Sequence, residues 1–132
     1  MNITTPLLLA GALCALGFGL ASPARATTAG RADAGSDVYA SECADCHSLR
    51  PGKNKKGPTL AAVSGRTAGT VPGYKYSDAL AHSGIVWTPE KLAAYIAAPK
   101  KVVPGGKMKY DDGGDLTAQD IADLLAFLKT AR

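Results

Sequence analysis

The clearest apolar stripe lies near the C-terminus, where Ile121, Leu124, Leu125 and Leu128 recur at i, i+3, i+4 and i+7, the spacing of one helix face. Phe127 widens it, and Thr117-Ala118-Gln119-Asp120 precedes it as a capping box with Asp in place of the usual Glu or Gln. A second helix is predicted from Thr88-Pro89-Glu90, with Thr as N-cap, Pro at the first helical position and an acid in the first turn. Leu92, Tyr95 and Ile96 give it an apolar face, and it must end near Ala98, before Pro99. Ser36 to about Ala44 holds Val38, Tyr39 and Ala40 among polar residues and predicts a first helix; Ser77 to His82 predicts a short one. Residues 48–73 carry Pro51-Gly52, Gly57-Pro58, Gly65, Gly69 and Pro72-Gly73, which predict ordered loop. No run alternates apolar and polar positions long enough for a strand. The fold class expected is all-α.

At the N-terminus, Leu7 to Leu20 is uncharged and apolar, and Ala24-Arg25-Ala26 follows as a small-x-small cleavage signal. That is the pattern of a secretory signal peptide, although no Lys or Arg precedes the run. The alternative is an uncleaved anchor, for which the run is somewhat short of the roughly 20 residues a spanning helix needs. Leu13 before Cys14 is not the small residue a lipoprotein acceptor requires. The organisation expected is a cleaved segment 1–26, a flexible leader 27–35 and one domain over 36–132, exported to a bacterial periplasm. Removal of residues 1–26 takes Cys14, one of three cysteines, and leaves Cys43 and Cys46.

Those two stand in Cys43-Ala44-Asp45-Cys46-His47, a C-x-x-C-H run that reads as a c-type haem attachment site. Each thiol can form a thioether to one vinyl group, and His47 is placed as an iron ligand. A disulfide between Cys43 and Cys46 would close almost no loop and add little. A thioredoxin-like pair would need a βαβ context. Structural zinc would need four ligands, and beyond the motif only His82 remains among Cys and His. The other axial position decides the chemistry: a Met sulfur closes it and raises the reduction potential, while an open site binds small ligands. Met108 is the sole thioether left once Met1 is removed, in a loop between glycines and lysines. His82 and Lys107 are the alternative ligands, and Met108 could instead fill a core gap.

In order, the chain carries Cys43-Ala44-Asp45-Cys46-His47, Gly57-Pro58-x-Leu60, Gly65-Arg66, Gly73-Tyr74-x-Tyr76-Ser77-Asp78-Ala79, Gly84-Ile85-x-Trp87, Tyr95-Ile96-x-x-Pro99-Lys100-Lys101 and Pro104-Gly105-x-Lys107-Met108. This series, from Gly35 to Leu128, resembles the class I cytochromes c of the mitochondrial and bacterial c/c2 type. The resemblance implies helices and ordered loops wrapped around one covalently attached haem c. It implies that Pro58 offers its carbonyl to the ring N–H of His47 and that the Tyr95 hydroxyl lies near the Met108 sulfur. It implies that Arg66, Tyr76 and Trp87 hydrogen-bond or pair with a buried haem propionate, which would otherwise be costly. Read from residue type alone, Tyr76 and Trp87 are core aromatics with polar tips and Arg66 is a surface charge. Gly35 and Tyr39 match positions where the first helix meets the last. Three residues depart from the pattern: Gly106 where Thr is common, Leu80 where Asn is often found, and Tyr110 where Phe is usual.

The whole chain has 15 Lys and Arg against 11 Asp and Glu, a formal +4; loss of Arg25 with the signal segment leaves +3. Lys53, Lys55 and Lys56 follow the haem motif, Lys100, Lys101, Lys107 and Lys109 flank Met108, and the acids gather in Asp111, Asp112, Asp115, Asp120 and Asp123. On the implied fold those lysines ring the haem edge and steer docking onto acidic surfaces of an oxidase, reductase or dehydrogenase. The bland alternative is ordinary solvated lysines. No aromatic and basic interleaving suggests nucleic acid. The function expected is a monomeric periplasmic electron carrier of the respiratory chain, not an enzyme. The rivals are a dedicated haem c subunit of a periplasmic dehydrogenase and, if Met108 is not a ligand, a peroxidase-like or gas-binding haem protein.

Overall fold

The computed structural model describes residues 29–110 and 114–132. The predicted signal segment, residues 27 and 28 of the predicted leader, and Asp111 and Asp112 lie outside them. Among the described residues five helices follow in order: α1 (Ala32–Val38), which runs on as a π-helical turn over Tyr39–Cys43, α2 (Asp78–Ala81), α3 (Pro89–Ala97), α4 (Pro99–Val102) and α5 (Ala118–Leu128). Among the described residues, extended pairing is confined to one isolated antiparallel bridge between Thr67 and Val86. The class is all-α, as the sequence predicts.

The caps explain most of the helix starts. The Thr117 side chain accepts from the Asp120 N–H while Asp120 accepts from Thr117, a complete capping box. Thr88 caps α3 with Pro89 at its start, and Ser77 caps α2 by accepting from the Leu80 N–H. Two starts differ from expectation. α1 begins at Ala32 instead of Ser36, so residues 32–35 of the predicted leader are helical. α3 ends before Pro99, as expected, and α4, which was not predicted, follows directly; Ala98 between them has φ −152°, outside the α region that a following proline disfavours.

The reason α1 starts early lies on α5. Gly30 and Gly35 have no room for a side chain: a Cβ would come within 2.0 Å of the Ala122 and Asp123 carbonyl oxygens respectively. The backbones therefore cross in close contact, with Tyr39 against Phe127 at 5.7 Å between ring centroids. Asp123, 5% exposed, accepts the Arg31 N–H at 2.7 Å and an amide N–H of Gln119 at 2.9 Å. It caps α1 from another helix, so no local signal marks the start.

These bonds, the Arg31 N–H foremost, hold the Asp123 carboxyl below its ordinary range. A carboxyl lowered in the folded state contributes stability above its unfolded value, about 3.9, and loses it as pH falls through the folded value. Asp123→Asn is therefore expected to unfold at lower denaturant than the parent near neutral pH, with the gap closing as pH falls below about 3.9. Urea melts at both pH values check this; a gap independent of pH would contradict it.

The core comprises Val63, Ala68, Trp87, Leu92, Tyr95, Val103, Leu124 and Leu128, with Leu124 1% exposed. It gathers α3, α5 and the long loop, and it does so around a cavity.

Candidate cofactor site

The π turn at the end of α1 is closed by the Ala44 N–H on the Tyr39 carbonyl at 2.9 Å. The Cys43 carbonyl then accepts from both Cys46 N–H, at 3.1 Å, and His47 N–H, at 2.9 Å. This tight turn brings the two sulfur-bearing residues and the imidazole to one wall. Tyr39 pins it from behind, donating its hydroxyl to the His47 carbonyl at 2.8 Å. The following loop returns by the Gly57 N–H on the Cys46 carbonyl at 2.8 Å. Pro58 thereby faces the ring, its carbonyl 2.7 Å from His47 Nδ1. Gly57 lies flat beneath the imidazole: a Cβ there would come 2.4 Å from His47 Cε1.

Burial pushes the His47 ring below its ordinary value, against the Pro58 carbonyl, which favours the protonated form. With Nδ1 held by Pro58, Nε2 is the nitrogen that can serve a metal. Burial, then the Glu42 charge, pushes the Cys43 thiol up to about 11. A thiol held protonated at neutral pH makes a poor redox nucleophile or zinc ligand. Among the described residues no group of three His, Cys, Asp or Glu side chains converges as a metal-ion site.

Cys43, Cys46, His47 and Pro58 share the wall of a cavity of about 440 Å³ with Arg66, Tyr76, Trp87, Tyr95 and Met108. Every predicted site residue is thus on one cavity. Met108 is delivered by a turn over Val103–Gly106, closed by the Gly106 N–H on the Val103 carbonyl at 2.9 Å with Gly105 at φ +83°. Pro104 followed by a glycine at positive φ is the signature of a type II turn. Of the alternative ligands, Lys107 also lines the cavity, whereas His82 is exposed at the end of α2, its Nδ1 on the Asp78 carbonyl at 2.9 Å.

Arg66 is not a free surface charge. Its guanidinium donates to the Ala61 carbonyl at 2.7 Å and the Thr59 carbonyl at 2.9 Å, and burial lowers its pKa. Trp87 leans on Tyr95 at 4.9 Å between centroids, and both are buried. Burial raises the Tyr76 and Tyr95 hydroxyl pKa values, which keeps them as donors. Tyr76 also takes the Val71 N–H at 3.4 Å. Leu80 lines the cavity, and Gly106 packs against Val103.

Sequence reasoning missed several wall residues. Tyr74 packs edge-on to Tyr76 at 4.8 Å and donates to the Lys56 carbonyl at 2.8 Å. Lys75, Leu116 and Glu42 also line the cavity. Asn54 bridges two loops, accepting from Thr59 N–H at 3.0 Å and donating to the Pro72 carbonyl at 3.1 Å. Only Tyr74 carried a signal, within the aromatic cluster around Lys75. Of the seven predicted docking lysines, all are exposed, and Lys56, Lys107 and Lys109 stand on the cavity wall.

Residues 32–132 match the family model for cytochrome c. The chain belongs to the cytochrome c family. It is 43% identical to cytochrome c of Euglena viridis over 103 residues, covering 78% of this chain and 99% of that protein. It is 46% identical to cytochrome c2 of Rhodopila globiformis over 98 residues, 74% of this chain and 91% of that protein. Among solved structures, cytochrome cH from Methylobacterium extorquens superposes with a TM-score of 0.70 at 42% identity, covering 76% of this chain and 99% of that one. Membership in the cytochrome c family makes this a mono-haem electron-transfer protein with a covalently attached haem c. The cavity fits that group on its own chemistry: two unpaired cysteines, an imidazole oriented through Nδ1, a thioether and mostly apolar walls.

Proposed function

We propose that this cytochrome c is an exported one-electron carrier whose haem iron is held by His47 and Met108. The observation that carries the reading is the sharing of one apolar cavity by Cys43, Cys46, His47 and Met108. When bound, the haem supplies a reversible ferric–ferrous couple, with no substrate on the metal. Cys43 and Cys46 anchor it by thioether bonds. The Pro58 carbonyl fixes the His47 tautomer and strengthens the imidazole as a donor. Met108 would supply the second protein ligand to the iron, and the Tyr95 hydroxyl would tune its sulfur. Arg66, Tyr76 and Trp87 take up a buried propionate, for which the guanidinium is already held in place by two carbonyls. A chain that keeps both ligands in both oxidation states rearranges little with each electron.

Segment 1–26, with its apolar run and Ala24-Arg25-Ala26, supports the export reading. Among the described residues no helix is long and apolar enough to cross a membrane. Lys53, Lys55, Lys56, Lys100, Lys101, Lys107 and Lys109 meet the acidic surfaces of redox partners. Lys75 joins Lys56, Lys107 and Lys109 on the cavity wall. Contact need only be brief, so a small, wet interface suffices.

The test is electron exchange of the holoprotein at electrodes carrying carboxylate or ammonium monolayers. A reversible one-electron couple is expected, at least about tenfold faster on carboxylate, with the advantage fading as salt shortens the screening length to about 3 Å at 1 M. An irreversible response, or equal rates on both surfaces, would contradict the carrier reading or the lysine docking respectively.

A further inference from the structure

Two residues at the rim of the cavity meet across most of the length of the domain. The Tyr110 hydroxyl donates to Glu42 Oε2 at 3.2 Å, over 68 residues of sequence. Glu42 immediately precedes Cys43 in the π turn, and Tyr110 lies two residues after Met108. Both line the cavity. The bond therefore joins the segment that carries the covalent attachment to the segment that carries the thioether, on one side of the opening.

Met108 itself packs against the core cluster. Among the described residues, no backbone–backbone hydrogen bond engages residues 107–110; the last before them is the turn bond from Gly106 to Val103. Gly106 also brings no side chain to that turn. The Tyr110 hydroxyl is backed by Gly114, at φ +56°, where a Cβ would come within 2.8 Å of the hydroxyl oxygen. Glycine at that position lets the ring reach Glu42. A Phe in place of Tyr110 would keep the packing and lose the bond.

We propose that the Tyr110–Glu42 hydrogen bond is a clasp that sets how often Met108 leaves the iron, and so gates entry of small ligands to the sixth position. Tyr110 and Glu42 are positioning residues in this scheme: neither touches the iron, and each acts through the Met108 segment. A small ligand reaches the metal only from the minor state in which Met108 has swung away. Its apparent affinity scales with the population of that state. Loss of this bond, exposed and 3.2 Å long and so weaker than a buried bond to a carboxylate, raises that population by about five- to tenfold. The inference rests on Met108 being the sixth ligand.

The experiment follows imidazole binding to the ferric holoprotein of the parent, Tyr110→Phe, Glu42→Gln, Glu42→Leu and the Tyr110→Phe/Glu42→Leu pair. The long-wavelength band of Met-to-iron charge transfer is recorded throughout. Expected are the band in every protein, imidazole binding about five- to tenfold tighter in Tyr110→Phe and Glu42→Leu, and no further gain in the pair, since the two changes remove the same bond. Glu42→Gln keeps an accepting oxygen and should stay within about twofold of the parent. The parent band with Tyr110→Phe unchanged would overturn the clasp alone, as would additive gains in the pair or Glu42→Gln behaving like Glu42→Leu. Absence of the band in the parent would overturn Met108 ligation and the clasp with it.

Discussion

Met108→Ala is expected to lower the reduction potential by on the order of 100 mV and to open the ferrous iron to carbon monoxide. Axial ligands set haem potentials over about 0.8 V, and a thioether favours the ferrous state more than water or an amine does. For one electron each 59 mV is a factor of ten, so the expected change is a factor of about fifty in the relative stability of the two oxidation states. Met108 is the sole thioether of the described chain and lies on the cavity wall that His47 shares. The nearest replacement is Lys107, which lines the same cavity; if it took the site, carbon monoxide binding would weaken. A potentiometric titration and a carbon monoxide difference spectrum read both consequences. An unchanged potential together with an iron still closed to carbon monoxide would mean that another residue is the ligand.

Where the sequence was legible, its signals were local or covalent in origin. The C-x-x-C-H run, the two Thr N-caps and the stripe from Ile121 to Leu128 each depend on residues within a turn or two of one another. Their helices and the His47 wall stand as expected. The start of α1 was not legible, because Ala32-Asp33-Ala34-Gly35 holds no large apolar residue and its cap comes from Asp123, 92 positions from Arg31. Asp123 itself read only as one of the acids gathered near the last helix, yet it is buried between two helices. α4 was hidden because a proline that ends one helix is also well suited to begin the next. The wall residues Glu42, Lys75 and Leu116 belong to the site only through the path of loops that contain no periodic pattern. The Tyr110–Glu42 contact is of the same kind: neither residue has a spacing that points to the other.

The second large effect concerns the two cysteines. Cys43→Ser/Cys46→Ser is expected to yield a chain from which haem is extracted by acidified solvent and which lacks a cooperative unfolding transition when stripped. The reason is that core and site are built from the same residues. Val63, Trp87, Leu92, Tyr95, Leu124 and Leu128 belong both to the core cluster and to the cavity lining. Internal space costs roughly 24 cal/mol per Å³ in core-truncation series. For a cavity of about 440 Å³ that is on the order of 10 kcal/mol, within the whole stability of about 5–15 kcal/mol available to a domain. The walls would then collapse or separate, leaving at most the α1–α5 crossing, which draws on Gly30, Gly35 and Asp123 outside the cavity. The disulfide reading makes the opposite forecast, since a bridge closing so short a loop contributes little and its loss would be mild. Circular dichroism during urea titration, with acid extraction alongside, separates the two. A stripped double variant that unfolds with the same midpoint as the parent would show that this core stands without the group its cysteines hold.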